Sequence, residues 1–208
     1  KFSLKFGRFL SYTGWETQEP TGLFQYSTVG YEPLFYGYYQ QGASAYYEGG
    51  TVDFMASVVT SAFDPLDRNT DPDTEIGMAI SPGEGNFTTK LFLIQEDEDD
   101  LANIWASYKA GPMTFAAEYF TRDYDAGGDG DAYLLMANYA KGNFGFTVRY
   151  HDYEITDAAG VPIIDTDGIT LSPSFKVGDN LLIVTEYRMD DFGGSDVDTL
   201  AFEALFLF

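Results

Sequence analysis

Apolar and polar residues alternate with period two along most of this chain. In residues 101–109, Ala102, Ile104, Ala106 and Tyr108 share one face, and Asn103, Trp105, Ser107 and Lys109 share the other, because successive side chains of a strand point to opposite sides. In residues 113–121, Met113, Phe115, Ala117 and Tyr119 oppose Thr114, Ala116, Glu118 and Phe120. The same reading sets Phe144, Phe146, Val148 and Tyr150 against Gly145, Thr147, Arg149 and His151. It sets Leu181, Ile183, Thr185 and Tyr187 against Leu182, Val184, Glu186 and Arg188. The pattern predicts twelve strands, near 1–9, 34–48, 51–62, 75–81, 87–94, 101–109, 113–121, 132–140, 144–153, 168–176, 181–189 and 199–208. Most are close to the length of about 9–11 residues that a tilted strand needs to cross a bilayer.

The links between these strands alternate in kind. Glu48-Gly49-Gly50, Ser81 to Asn86, Ala110-Gly111, Lys141-Gly142-Asn143 and Val177 to Asn180 are short. Ser11 to Pro33, Asp64 to Thr74, Gln95 to Asp100, Arg122 to Asp131, Glu154 to Asp167 and Asp190 to Asp198 are longer and mostly acidic. Such alternation puts all short turns at one end of an antiparallel meander, as periplasmic turns and extracellular loops are arranged in outer-membrane barrels. The apolar faces end in aromatics on both sides. Tyr108, Tyr139, Phe144, Phe175 and Phe208 lie beside short turns or the terminus, and Tyr119, Tyr133, Tyr150 and Tyr187 beside long links. Two girdles at the two membrane interfaces are expected from this placement. Leu200, Phe202, Ala204, Phe206 and Phe208 form one face of the last strand. That ending resembles the terminal strand of bacterial outer-membrane barrels, where Phe206 and Phe208 would be the signal to the barrel-insertion machinery. The expected fold is an all-β, transmembrane, antiparallel up-and-down barrel in the bacterial outer membrane, one domain over residues 1–208.

Composition narrows the function classes. With 33 acidic and 11 basic residues, the formal net charge is −22, which argues against nucleic acid, whose phosphates require a basic surface. There is no Cys, hence no disulfide, thiolate metal site or Cys nucleophile. Sixteen Tyr and 18 Phe are too many for a disordered acidic chain. No apolar run reaches the roughly 18 residues of a transmembrane helix, which leaves a barrel open, since only alternate residues face lipid. The chain opens at Lys1 directly in strand alternation, without an initiator Met or secretion signal, and reads as a processed product or a fragment.

Gly7-Arg8-Phe9 followed by Tyr12-Thr13-Gly14-Trp15-Glu16 resembles a mid-barrel strand and following loop of the OmpL-like β-barrel porin family. Leu171-Ser172-Pro173-Ser174-Phe175, Gly178-Asp179-Asn180-Leu181-Leu182 and Glu186-Tyr187-Arg188 resemble its penultimate hairpin. Members of that family are longer at the N-terminus, so the resemblance implies that the twelve strands are part of a larger barrel. It implies an outer-membrane pore and carries over no substrate.

The polar face supplies the candidate pore lining: Lys90, Asn103, Lys109, Glu118, Arg149, His151, Glu186, Arg188 and Glu203. Glu186 and Glu203 lie on consecutive strands, with Arg188 placed to compensate them. Glu96, Asp97, Glu98, Asp99, Asp100, Asp123, Asp125, Asp129, Asp131, Asp190 and Asp191 are expected as acidic links at the mouth, concentrating cations by an effect that salt weakens. These carboxylates could also bind Ca²⁺ weakly; no other cofactor and no resident metal site is expected. His151, the single histidine, lacks a GxSxG-type partner motif, so catalysis is not expected. The link 11–33 carries Trp15, Phe24, Tyr26 and Tyr31 and is expected to fold inward, since exposed aromatics at this density are costly. The expected function is passive diffusion of small hydrophilic solutes or ions, with a preference for cations and outer-membrane lipid as the surrounding partner. A plugged barrel acting through its acidic links is the alternative, a soluble calcium-binding sandwich a third, and homo-oligomerisation is left open.

Overall fold

In the computed structural model, residues 1–16, 19–62, 72–83, 85–96 and 99–206 are described. The strands are β1 (Phe2–Leu10), β2 (Tyr39–Glu48), β3 (Val52–Val59), β4 (Asp73–Ile80), β5 (Phe87–Glu96) and β6 (Asp99–Ala110), followed by β7 (Met113–Asp123), β8 (Asp129–Lys141), β9 (Phe144–Thr156), β10 (Pro162–Val177), β11 (Leu181–Phe192) and β12 (Asp196–Phe206). They form one sheet in sequence order, each strand hydrogen-bonded to its sequence neighbours, and the pairings are antiparallel. A short helix, α1 (Glu32–Phe35), lies in the link between β1 and β2. No helix among the described residues is long and apolar enough to cross a membrane.

The alternation places polar residues inside and apolar residues outside. Leu135 is 54% exposed, whereas Leu134 beside it is fully buried. On the outer face Ile76, Leu93, Ile104, Leu200 and Phe202 are exposed. On the inner face Glu75, Thr147, Arg149, His151, Thr170, Ser172 and Glu186 are buried. An apolar outer surface of this extent is unstable in water and favourable against hydrocarbon. Aromatics border it at both ends: Phe87, Tyr108, Phe115, Phe144, Phe175 and Phe206 towards the short turns, Tyr119, Tyr133 and Tyr187 towards the other end. At that second end each tyrosine donates to a carboxylate on the neighbouring strand: Tyr119 to Asp131, Tyr133 to Asp152 at 3.0 Å and Tyr187 to Asp198 at 2.7 Å. Their rings stay in apolar surroundings and their hydroxyls reach the polar boundary. Phe208 lies outside the described residues.

Two expectations need correction. The segment 34–38, expected as strand, is α1 and the turn after it, and β2 begins only at Tyr39. At the long acidic links 95–100, 122–131, 154–167 and 190–198 the strands run on into the links from both sides; β10 alone runs for 16 residues, about 50 Å at roughly 3.3 Å per residue. Turn-forming Gly and Asp obscured these extensions in the sequence, but Asp131, Glu154 and Asp165 occupy successive paired positions of β8, β9 and β10.

Candidate functional site: the inward link and the walls it faces

The link between β1 and β2 folds onto the inner face. Val29, Tyr31, Phe35 and Tyr36 are buried in one cluster with Ala116, Phe120, Ala132, Leu134, Met136, Tyr153 and Ile155. Tyr31 meets Phe35, Tyr36, Phe120 and Tyr153 edge-on, at centroid distances of 5.8, 5.9, 6.2 and 5.9 Å. Tyr31 is thus buried inside the barrel and Trp15 and Phe24 pack partly against the same cluster, whereas Tyr26 stays exposed. Gly14 turns the chain there with φ +89°, and a Cβ on it would lie 2.5 Å from the Tyr36 ring, so both the backbone geometry and the close approach require glycine.

Polar contacts tie the link to the wall. Glu118 accepts from the Trp15 backbone N–H at 2.6 Å, from the hydroxyls of Tyr31 at 3.0 Å and Tyr36, and from Asn103 Nδ2 at 3.2 Å. Burial, and secondarily the Glu118 carboxylate, hold the phenols of Tyr31 and Tyr36 well above their ordinary pKa, so both remain neutral donors. Glu16 accepts from Arg149 at 2.9 and 3.0 Å, from the Val29 backbone N–H at 2.6 Å and from Gln25 at 2.7 Å. Arg149 also donates to the Ser27 carbonyl, the Ser27 hydroxyl and Thr170. Glu186 accepts from the Ser27 backbone N–H at 3.0 Å. Arg188 reaches the Thr28 carbonyl at 3.1 Å and pairs with Asp190 at 2.7 Å. His151 Nε2 lies 3.4 Å from both Asp190 and Arg188.

The candidate lining residues therefore divide. Asn103, Glu118, Arg149, His151, Glu186 and Arg188 come together under the link. Lys90 lies apart, with its ammonium 5.0 Å from the centre of the Trp105 ring. Lys109 is exposed close to the β6–β7 turn, and Glu203 lies half-buried opposite Val184. Arg188 pairs with Asp190, and Glu186 instead accepts from the Ser27 backbone N–H of the link.

The acidic positions divide as well. Asp190, expected at the mouth, is buried: β11 continues to Phe192, which puts Asp190 on the inward face with Glu186 and Arg188. Glu96 and Asp99 pair with Arg122 at 3.1 and 2.7 Å, and Arg122 also donates to the Leu34 carbonyl of the link at 3.0 Å. Asp99 further accepts from the Asp125 backbone N–H. Asp100 pairs in register with Asp123, Asp123 with Asp129, and Asp191 with Asp196. Asp97 and Glu98 lie outside the described residues. Arg122 also lies 4.8 Å from the centre of the Tyr124 ring, and burial raises that phenol's pKa, opposed by the Arg122 charge. No three His, Asp or Glu side chains among the described residues are grouped to hold a metal ion. Glu16, Glu75 and Ser27 were missed as site residues; only the inward parity of Glu75 could have been read from the pattern.

Two adjoining cavities lie on the side of the link facing β1–β6. One, of 260 Å³, is lined by Ser11, Tyr12, Trp15, Glu16, Lys90 and Trp105 among others. The second, of 340 Å³ and towards the short turns, is lined by Lys5, Tyr12, Tyr46, Asp53, Lys90 and Phe92 among others.

An apolar outer belt, aromatic borders, a polar inner face and an inward-folded link define a transmembrane β-barrel of the bacterial outer membrane. The chain belongs to the Gram-negative porin family, which matches over residues 2–195. This match does not single out the OmpL-like branch. No curated protein matches the chain. Among solved structures it resembles the outer membrane channel DcaP of Acinetobacter baumannii, at 13% identity and TM-score 0.72, covering 99% of this chain and 71% of that one. It resembles OmpT of Vibrio cholerae at 14% identity and TM-score 0.62, covering 98% and 71%. A porin refined at 1.8 Å shares 17% identity and TM-score 0.61, over 79% of this chain and 60% of that one; the chain thus spans less than two thirds of that porin.

Proposed function

We propose that the protein is a diffusion porin, passing small hydrophilic solutes and ions through the part of the lumen that the link leaves uncovered beside β1–β6. The observation that carries this reading is the uneven seating of the link: its later residues, Phe24 to Tyr36, pack against β7–β11, its first residues, Ser11 to Trp15, touch Glu75, Asn103 and Trp105, and the two cavities lined by Tyr12 and Lys90 remain beside those first residues. Discrimination would rest on size and electrostatics rather than bond chemistry. A preference for cations is supported by the acids crowding the long-link end, where Asp123, Asp129, Asp131, Glu154, Asp165, Asp191 and Asp196 stand on adjoining strands and generate a negative potential.

Single-channel recording of the full-length protein in a planar bilayer tests this. Stable openings are expected, with a reversal potential under a salt gradient that indicates cations and fades as salt rises. Removing residues 14–30 should raise the conductance. A barrel that inserts but never conducts, with or without that segment, overturns the reading. The aromatic cluster around Tyr31 favours the second reading in that case, a plugged barrel acting through its outer hairpins.

A further inference from the structure

The outer face carries two large grooves, and they differ in what stands at their ends. One, of 530 Å³, is lined by Ala106, Tyr108, Phe115, Ala117, Ala137 and Val148 among others, a volume within the range of about 300–1,000 Å³ found for ligand clefts. Its floor is made of small side chains on three adjoining strands: Ala106 stands opposite Ala117, and Phe115 opposite Ala137. The exposed side chains of Tyr108, Phe115 and Leu135 flank that floor. The second groove, of 510 Å³, is lined by Ile76, Leu93, Ala102, Ile104 and Tyr119 among others. A depression that shares Ile76, Leu93 and Ala102 with it reaches Asp100 and Asp123 at the long-link end.

The first groove leads to lysines instead. Along β8 the outward positions continue from Ala137 through Tyr139 to Lys141, which is exposed. Lys141 lies about 13 Å past Ala137, at roughly 3.3 Å per residue. Lys109 is exposed near the end of β6, one residue beyond Tyr108. Neither lysine makes an ion pair among the described residues, and the sequence has no Asp or Glu between Trp105 and Glu118 or between Asp131 and Asp152. The tyrosines differ between the two ends as well. Tyr119, Tyr133 and Tyr187 donate to carboxylates, whereas Tyr108 and Tyr139 have no hydrogen-bond partner among the described residues. An apolar groove that leads to unpaired ammonium and phenol donors complements an amphiphile with an apolar chain and an anionic head. Short turns of outer-membrane barrels face the periplasm, so that head lies in the periplasmic leaflet, which is made of phospholipids. A second copy docked face to face over this groove would set the lysines against one another, with no carboxylate of these hairpins to meet them.

We propose that the outer face of β6–β9 binds an anionic diacyl phospholipid of the periplasmic leaflet. One acyl chain lies in the groove floored by Ala106, Ala117 and Ala137, Lys141 pairs with the phosphate, and Lys109 adds positive potential beside it. The site stands whether or not the lumen conducts.

The test is native mass spectrometry of the full-length protein released from detergent micelles, after incubation with phosphatidylglycerol or phosphatidylethanolamine of the same acyl chains. The wild type should retain phosphatidylglycerol about fivefold more strongly, the scale set by one lysine at an anionic lipid surface. Lys141→Gln should remove most of that preference while keeping the retention that the acyl chain supplies. Ala137→Phe, which fills the groove from the lipid side, should lower the retention of both lipids. If Ala137→Phe does not fold, Lys141→Gln, at an exposed turn, decides the matter by itself. Equal retention of the two lipids by the wild type, an undiminished preference in Lys141→Gln, or undiminished retention in Ala137→Phe would each overturn the proposal. An oligomer that binds no lipid and falls apart on Ala137→Phe would assign this face to a second copy and overturn it too.

Discussion

On the inner wall of β9 and β11, the cations Arg149 and Arg188 each meet a carboxylate, Glu16 and Asp190. On the facing wall, the Lys5 ammonium lies 4.7 Å from the centre of the Tyr12 ring and Lys90 against Trp105, and neither makes an ion pair among the described residues. The first wall spends its charges on holding the link, through partners that are buried and fixed. The second leaves its charges beside open cavities, where they can act on whatever enters. Inward charge alone therefore says little about solute selection; the deciding matter is whether the link covers it.

The sharpest break in this contrast is Arg149→Ala. It strands Glu16 as a buried, unpaired carboxylate and removes the donors to Ser27 and Thr170, so unfolding should become easier by about 3–5 kcal/mol, read from urea denaturation in detergent micelles or bilayers. An undiminished stability would show that Glu16 reaches water and that the wall is not closed by the link. Next in size, Leu135→Arg places a charge on the outer belt and should cost about 2–4 kcal/mol near the bilayer midplane. The same substitution at Lys109, exposed near the short turn, should cost almost nothing.

Smaller effects sharpen the comparison. Lys90→Gln should move the low-salt reversal potential towards cations more than Lys109→Gln does, because Lys90 lines both cavities whereas Lys109 is exposed and screened. Equal shifts would place the passage elsewhere. Smallest of all, Tyr133→Phe removes one exposed hydrogen bond to Asp152 and should cost about 0.5–1 kcal/mol, leaving conductance unchanged.

Much of this molecule was legible in its residues. The two faces of β6, β7, β9 and β11 follow from alternation alone, and with them the inward parity of Asn103, Glu118, Arg149, His151, Glu186 and Arg188. Glu16 carried no such signal, because it lies in a link without periodicity, and its partner Arg149 is 133 positions away. Asp190 was misread for a different reason. Acidic residues and glycines imitate a loop, while the hydrogen bonds that extend β11 past Asp190 are made with β10 and β12 and leave no local trace.

The period of the pattern determined the strands, their inward and outward faces, the aromatic borders and so the membrane, because side-chain direction in a strand is a local property of the backbone. Tertiary structure alone decided where the link seats, which carboxylates meet a guanidinium and which, like Glu118, meet neutral donors instead. Those outcomes depend on contacts between distant segments, and no period along the chain encodes them.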